Sequence, residues 1–562
     1  MHRTHGQRSS GGARAATHCV RVGRLLAAAI VMLASGSRGA AAQMRSRLDL
    51  GGMIETGGEE ERYLRVLQVA GLAPLGPWSI QPFSPGQTAA LRVAGAHPWR
   101  ERFDSAARAA LSVLRPKARL IANSAFPFQD GSGPTWAGRG LTGEIQAGIG
   151  AKFPHLAVQL APLAFVSQNA AFTLAPNGQT GALRFADARY PTEIDAPQRF
   201  GDAAYSRLSP GSSSIVSDAF GLVAGISSAP QRWGPSREYP LVLGPNAGGF
   251  PEVFFGSSEP VSFWLFKAHA RLLYGALGQS SIARPVRGER TRLGSGLVVT
   301  VLPRGVNGLE IGASRFLDRP WEGWPAARTL FRPFAGVISN NGPGSRVNDS
   351  LENQNASVFA RWVLPAARTE VYGEMYREDF PGGFHRAAST LVEKPDDYSA
   401  FTLGFQHVLG VDERTARVVR AEIVNGETSH QERGQRGLTV PLPIYIHSPE
   451  TQGHTLNGLI LGSPEAYGGA AWRAGYDSFT PAGRRSLTLE RSLRFDWLPT
   501  ATASSGIVQP DVIYDVRAEV FRFAGSRDYG VTLIPAVDLN RDLVAGRDVF
   551  NLTVAVTVRG WP

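Results

Sequence analysis

From about residue 128 to the end of the chain, apolar residues recur at every second position. In "DVFNLTVAVTVRGWP", Phe550, Leu552, Val554, Val556 and Val558 alternate with Asn551, Thr553, Ala555, Thr557 and Arg559. "SAFTLGFQHVL" sets Phe401, Leu403 and Phe405 against Thr402, Gly404 and Gln406, and "HLAVQLAPLAFVS" sets Leu156, Val158 and Leu160 against His155, Ala157 and Gln159. In "TEVYGEMYRED", Glu370, Tyr372, Glu374 and Tyr376 share one side. A period of two belongs to a β-strand, whose successive side chains face opposite ways. The 64 Gly and 38 Pro supply the turns between such segments and argue against long helices.

One face of each segment is apolar; the other is polar, small or charged. A soluble sandwich of this length needs more than one core, and no linker divides the region. A transmembrane barrel accounts for the pattern directly, with apolar residues toward lipid and polar residues toward the lumen. Closure removes the sheet edges that lipid does not tolerate. Roughly 420 residues supply about 16–18 strands at ordinary strand and loop lengths. The long connections around 318–350 and 425–470 then face the outside, and the short turns face the periplasm. After residue 42 no apolar run is long enough for a transmembrane helix.

The region 43–127 reads differently. "EEERYLRVLQVAGLAP" has helical spacing, opens on acids and ends near Gly71. "PGQTAALRVAG" and "DSAARAALSVL" read as two further short helices. The expected fold is mainly β: a large antiparallel transmembrane β-barrel over 128–562, with a small N-terminal α-helical bundle on the periplasmic side over 43–127.

Residues 1–42 follow the plan of a secretory signal peptide. A basic, acid-free stretch precedes the apolar "LLAAAIVMLA" and the small residues Ala40 and Ala42. Cleavage there removes six Arg and no acid, which lowers the formal charge from +11 to +5 and weakens a nucleic-acid reading. Cys19 leaves as well, so the mature chain has neither disulfide nor thiol nucleophile. The expected location is the cell outer membrane.

The segment "RWGPSREYPLVLGPNAGGFPEVFFG", Arg232 to Gly256, is too polar for a core helix and too broken for a regular strand. It resembles the signature of the Wzi family of outer-membrane capsule assembly proteins. The resemblance rests on Trp233, Gly234 and Pro235, the triplet Leu241 to Leu243, Asn246 and Pro251. "WAGRGLTGEIQAGIGAKFPHLAVQLAPLAFVSQN" is similar to that family's first strands, and "ENQNASVFARWVLP" followed by "EVYGEMYRED" to its mid-barrel hairpin. "YIHSPETQGHTLNGLILG" resembles a late loop, and "LQVAGLAPLGPWSIQPFS" part of the N-terminal bundle. These matches run in order through nearly all of the mature chain. One departure is Pro245, which stands where the signature often carries a polar residue.

The resemblance implies a barrel of about 18 strands, plugged by loops and helices, that acts as a lectin for capsular or extracellular polysaccharide. Its other partners would be outer-membrane lipid and the barrel insertion machinery, with no nucleic acid. It would be a monomer, not an enzyme, and would need no cofactor. A porin-like channel for small solutes is the alternative. A plug must meet a polar wall, so Arg232, Arg237 and Glu238 are expected to pair with luminal groups. Trp233, Arg237 and Asn246 are candidate sugar contacts that would equally serve to hold the plug. Trp321 and Trp324, in "DRPWEGWP", are candidate stacking platforms, or else interface and loop-packing residues.

Paired carboxylates such as Glu370 and Glu374 can serve a glycosidase. On a luminal strand face they are expected instead to meet arginine. His407, His447 and His454 are too dispersed for a local metal motif. "GRGLTG" matches a dinucleotide fingerprint by count, but a strand follows it where that motif needs a helix.

Overall fold

The computed structural model describes residues 54–560, except 104–109, 129–132, 285–287, 322, 324–330, 335–350, 379–394, 396–397, 428–442, 448–450 and 496–508. The proposed signal segment 1–42 and Trp324 lie outside the described residues.

The described residues form a closed antiparallel barrel of 18 strands, running in sequence order from Ala110–Asn123 to Val549–Gly560. Three of the strands are broken into two pieces: Leu156–Leu160 with Leu163–Ser167, Tyr205–Ser209 with Ser214–Ala219, and Glu252–Ser257 with Val261–Ser262. The last strand pairs with the first, in register Lys117↔Arg559 to Asn123↔Thr553, and this seam closes the wall.

The outward faces match the alternation. Phe401, Leu403, Phe405 and Phe550 are exposed to the surroundings of the barrel, while Thr402, Gln406, Asn551 and Thr553 are buried within. This is the lipid-out, polar-in arrangement of a membrane barrel. Phe220, Phe263 and Trp264 sit at tight turns of the end that bears the short connections. There Trp264 is 85% exposed, as befits an aromatic at a membrane interface.

The helical region is shorter than the sequence predicts, and the barrel begins at Ala110 rather than 128. The expected third helix runs into a wall strand. Its Ala, Leu and Arg favour a helix intrinsically, but pairing on both sides overrides a weak propensity. Leu111 and Val113 face outward, and the ladder is irregular between Leu114 and Lys117, around Pro116. Proline in a sheet is tolerated at such a bulge because it has no N–H to give the ladder.

Before that strand lie helix α1 (Glu59–Val69), helix α2 (Pro85–Ala90) and the single turn Arg100–Phe103. Helix α2 opens with a capping box. Ser84 Oγ accepts the Gln87 N–H at 3.0 Å, and the Gln87 side chain accepts the Ser84 N–H at 3.0 Å. These elements close the short-turn end. Tyr63, Leu67 and Trp99 pack with Val363, Val408, Phe479 and Phe523 at the tips of four wall strands. Trp99 Nε1 donates to the Thr480 carbonyl at 2.9 Å.

Candidate functional site

The segment from Arg232 enters the lumen as a plug. Its first residues pair with an extended piece of the N-terminal region, in register Ile80↔Trp233 and Gln81↔Arg232. Trp233, Leu241 to Leu243, Ala247 and Phe250 then pack on inward side chains of the wall, among them Leu273, Val298, Phe316 and Phe359. The plug ends sooner than the sequence reading has it, because Glu252–Ser257 is a wall strand with Val253 and Phe255 facing outward. Gly234 is needed where it stands. Its φ is +92°, and a Cβ there would meet a Glu374 carboxylate oxygen at 2.6 Å.

Polar anchors lock the plug to the wall. The Glu422 carboxylate accepts the successive backbone N–H groups of Arg237 (3.1 Å), Glu238 (3.1 Å) and Tyr239 (2.9 Å). It also accepts the hydroxyls of Ser236 and, at 2.7 Å, Tyr372. Charge-assisted bonds of this kind are the strong ones. Glu238 pairs with Arg420 at 2.8 Å and Arg473 at 2.6 Å, and Arg237 with Asp477 at 3.5 Å. Gly475, the cross-strand partner of Arg420, leaves room for that guanidinium.

Arg232 turns toward helix α1, where its Nη1 lies 3.2 Å from Glu61. Burial opposes the Glu61 charge. Arg232 and Arg65, with the Trp78 indole N–H, outweigh that cost and hold its carboxyl at about 2. Arg65 also bonds Glu370 at 3.1 Å and the Pro235 carbonyl at 2.8 Å. Glu370 is thus paired with Arg65 and Arg361. Glu374 behaves otherwise than expected: it enters no ion pair among the described residues and lies against Gly234. The close approach of the glycine backbone takes the space a guanidinium would need.

A second loop, residues 443–467 as far as described, folds inward on the plug. Tyr445 has a φ of +75°, costly for a bulky side chain. Three contacts fix it. Its N–H donates to Glu378 at 2.6 Å, its hydroxyl donates to the Leu241 carbonyl at 2.7 Å, and its ring stacks on His454. His454 Nε2 reaches the Val242 carbonyl at 2.6 Å.

Among the described residues, a lower and an upper cavity lie beside the plug. The lower one of about 290 Å³, toward helix α1, is lined by Lys117, Arg237, Arg484, Glu519 and Arg559 among others. The upper one of about 320 Å³, toward the long connections, is lined by the aromatics Phe126, Phe128, Trp136, Phe172 and Tyr467 and by several charged side chains. Asn246, Pro464, Glu465 and Arg473 border both.

The five candidate residues therefore part company. Asn246 lies at the junction of the cavities, with its Nδ2 donating to the Ile460 carbonyl at 2.7 Å. Arg237 borders the lower cavity. Trp233 is fully buried in the plug core. Trp321 is half-buried at the end of the Leu309–Pro320 strand and borders neither cavity. The charged inward residues Arg420, Glu422, Arg473, Asp477, Glu490 and Arg517 were missed by the sequence reading. Their signal was present as charges at alternate positions of otherwise apolar strands, such as "RAE" and "DVRAE".

Among solved structures, the chain is similar to the outer-membrane protein Wzi of Escherichia coli, involved in group 1 capsule assembly and described as a carbohydrate-binding β-barrel. The TM-score is 0.60 at 14% identity, over 90% of this chain and 99% of that one. Two porins are more distant. OprD of Pseudomonas aeruginosa gives a TM-score of 0.36 at 12% identity, covering 80% of this chain and 92% of its own. A BenF-like porin of Pseudomonas fluorescens gives 0.38 at 6%, covering 80% and 99%. No family model and no curated protein matches the sequence. The chain has the fold of Wzi.

Proposed function

We propose that this barrel, built on the Wzi fold, is a non-enzymatic, lectin-like outer-membrane protein that retains or assembles capsular or extracellular polysaccharide at the cell surface. The observation that carries the reading is the plugged lumen. Glu422 and the Glu238–Arg420–Arg473 cluster fix the plug to the wall, and aromatic and charged groups together line the remaining cavity at the long-loop end. Sugar rings present both an apolar C–H face and a polar edge, so a site for them mixes such groups. A non-catalytic role agrees with Glu370, whose carboxylate is taken up by two arginines. Retention would be multivalent, each weak contact along the polymer raising the effective concentration for the next.

In this reading the long-loop end faces outward, the helices face the periplasm, and Asn246 is the nearest of the sequence candidates to bound sugar. Deleting the protein tests it: polymer shifts from the cell pellet to the medium while total synthesis is unchanged. Unchanged partitioning overturns the proposal.

A second reading is a porin-like passage for small solutes, favoured by one observation: the two cavities share Asn246, Pro464, Glu465 and Arg473. Steady conductance of the purified barrel in a planar bilayer would support it, and a silent bilayer would remove it.

A further inference from the structure

The inward face of the Asp511–Ala524 strand carries Asp515, Arg517 and Glu519 at alternate positions. Glu519 is taken up by Arg484 at 3.0 Å. The other two side chains are not. Asp515 is 5% exposed and Arg517 9%, and both line the upper cavity. Among the described residues neither Asp515 oxygen nor Arg517 Nε has a hydrogen-bond partner, and neither side chain enters an ion pair. Their neighbours across the ladder do not serve them. Asp515 faces Glu490, which already binds Arg473, and Ala536. Arg517 faces Thr488, whose hydroxyl oxygen accepts from Arg420 at 3.0 Å.

Buried polar groups are nearly always partnered, and a charged group left without one is costly. Here an acceptor and a donor stand unpartnered about 7 Å apart along one strand, both bordering the same cavity. Trp136 and Phe128 border that cavity too. Its volume is at the small end of the range for ligand pockets, which is roughly 300–1,000 Å³.

We propose that the upper cavity is a subsite for one neutral hexopyranose unit of a surface glycan. The Asp515 carboxylate accepts from one ring hydroxyl and the Arg517 guanidinium donates to a neighbouring one, with the C–H face of the ring against the aromatic side chains. This rests on the lectin reading and adds the sugar class and the residues. The neutral class follows from the charges. The cavity is bordered by as many carboxylates as guanidiniums, and a sugar carboxylate beside Arg517 would lie close to Asp515 and Glu490. Like charges set side by side in a partly desolvated site repel, and that repulsion selects against an acidic sugar.

The test is calorimetric titration of the full-length protein in detergent with maltotetraose, β-1,4-galactotetraose, α-mannotetraose and tetragalacturonate. The variants are Asp515→Asn, Asp515→Ala and Arg517→Gln, each checked for the heat-modifiable mobility of a closed barrel. The expected result is binding of at least one neutral tetrasaccharide by the unaltered protein and a loss of tenfold or more in every variant. Binding retained within twofold in the variants, preference for tetragalacturonate, or no binding of any neutral probe overturns the subsite. None of these outcomes changes the partitioning of polymer between pellet and medium, so the failure of this inference is distinct from that of the lectin reading.

Discussion

Along the arc of wall from Leu163 round to Ala471, inward side chains pack against the plug and share its apolar cluster. The wall strands from Gly483 through the closing seam to Phe153 contribute none of the described members of that cluster, and many of their inward residues border the two cavities. The same alternation of outward apolar and inward residues builds both arcs. They differ in what the inward residues meet. In the first arc Leu273, Val298, Phe316 and Phe359 meet apolar plug residues, and Arg420, Glu422 and Arg473 are partnered on the plug, while Glu374 enters no ion pair among the described residues. In the second, Asp515 and Arg517 border the upper cavity, and both Asp515 oxygens and Arg517 Nε lack a hydrogen-bond partner among the described residues. The barrel thus concentrates its apolar plug packing in one half and opens most of its cavity wall along the other.

The comparison is broken most sharply at Glu422. Glu422→Ala strands three backbone N–H groups and two hydroxyls. The expected loss is on the order of 5 kcal/mol, because unmet buried donors carry their full desolvation cost. Urea unfolding in detergent measures it, and proteolysis within 232–251 of a barrel that stays heat-modifiable would show that the plug is released before the wall. Trp233→Ala removes the largest apolar plug residue, and about 3–4 kcal/mol is expected from burial and cavity terms together. Its unfolding midpoint would show it.

Acidification gives a smaller effect. Glu61 has its carboxyl held at about 2 in the folded chain against an ordinary 4.5. Its contribution is therefore present above about pH 4.5 and lost as pH falls toward 2, or about 2 kcal/mol between pH 5 and pH 3. Unfolding free energies across that range would decline in the unaltered protein, and the part due to Glu61 would be missing in Glu61→Gln. The smallest effect is expected in the open arc: Thr532→Ala, at the lower cavity, should change stability by less than about 0.5 kcal/mol. A larger change would mean that this wall is packed after all and that the two halves are alike.

Much of the wall was legible in the sequence, because the face opposed to lipid is set residue by residue with a period of two. Phe401, Leu403 and Phe405 needed no tertiary information to be placed. The start of the barrel was harder to read. Ala110–Asn123 combines helix-forming residues with a bulge at Pro116, so its period is interrupted where a reader would look for it. The Arg232 segment could be recognised as a plug, since its Gly, Pro and charges fit no regular element. Its partners could not be read. That Glu422, nearly two hundred residues away, would gather three successive N–H groups depends on strand register around the whole barrel. Glu374 shows the same limit, for only the fold brings Gly234 against it.

The plug has a simple place in the wall. It lies between the strands Leu222–Ser227 and Glu252–Ser257, and these already pair with each other, Ser227 opposite Glu252 and Leu222 opposite Ser257. Everything inside the barrel from 228 to 251 is in topological terms a single hairpin loop turned inward. The shell is indifferent to its length. That connection can be lengthened or trimmed with no strand reordered and no register reset.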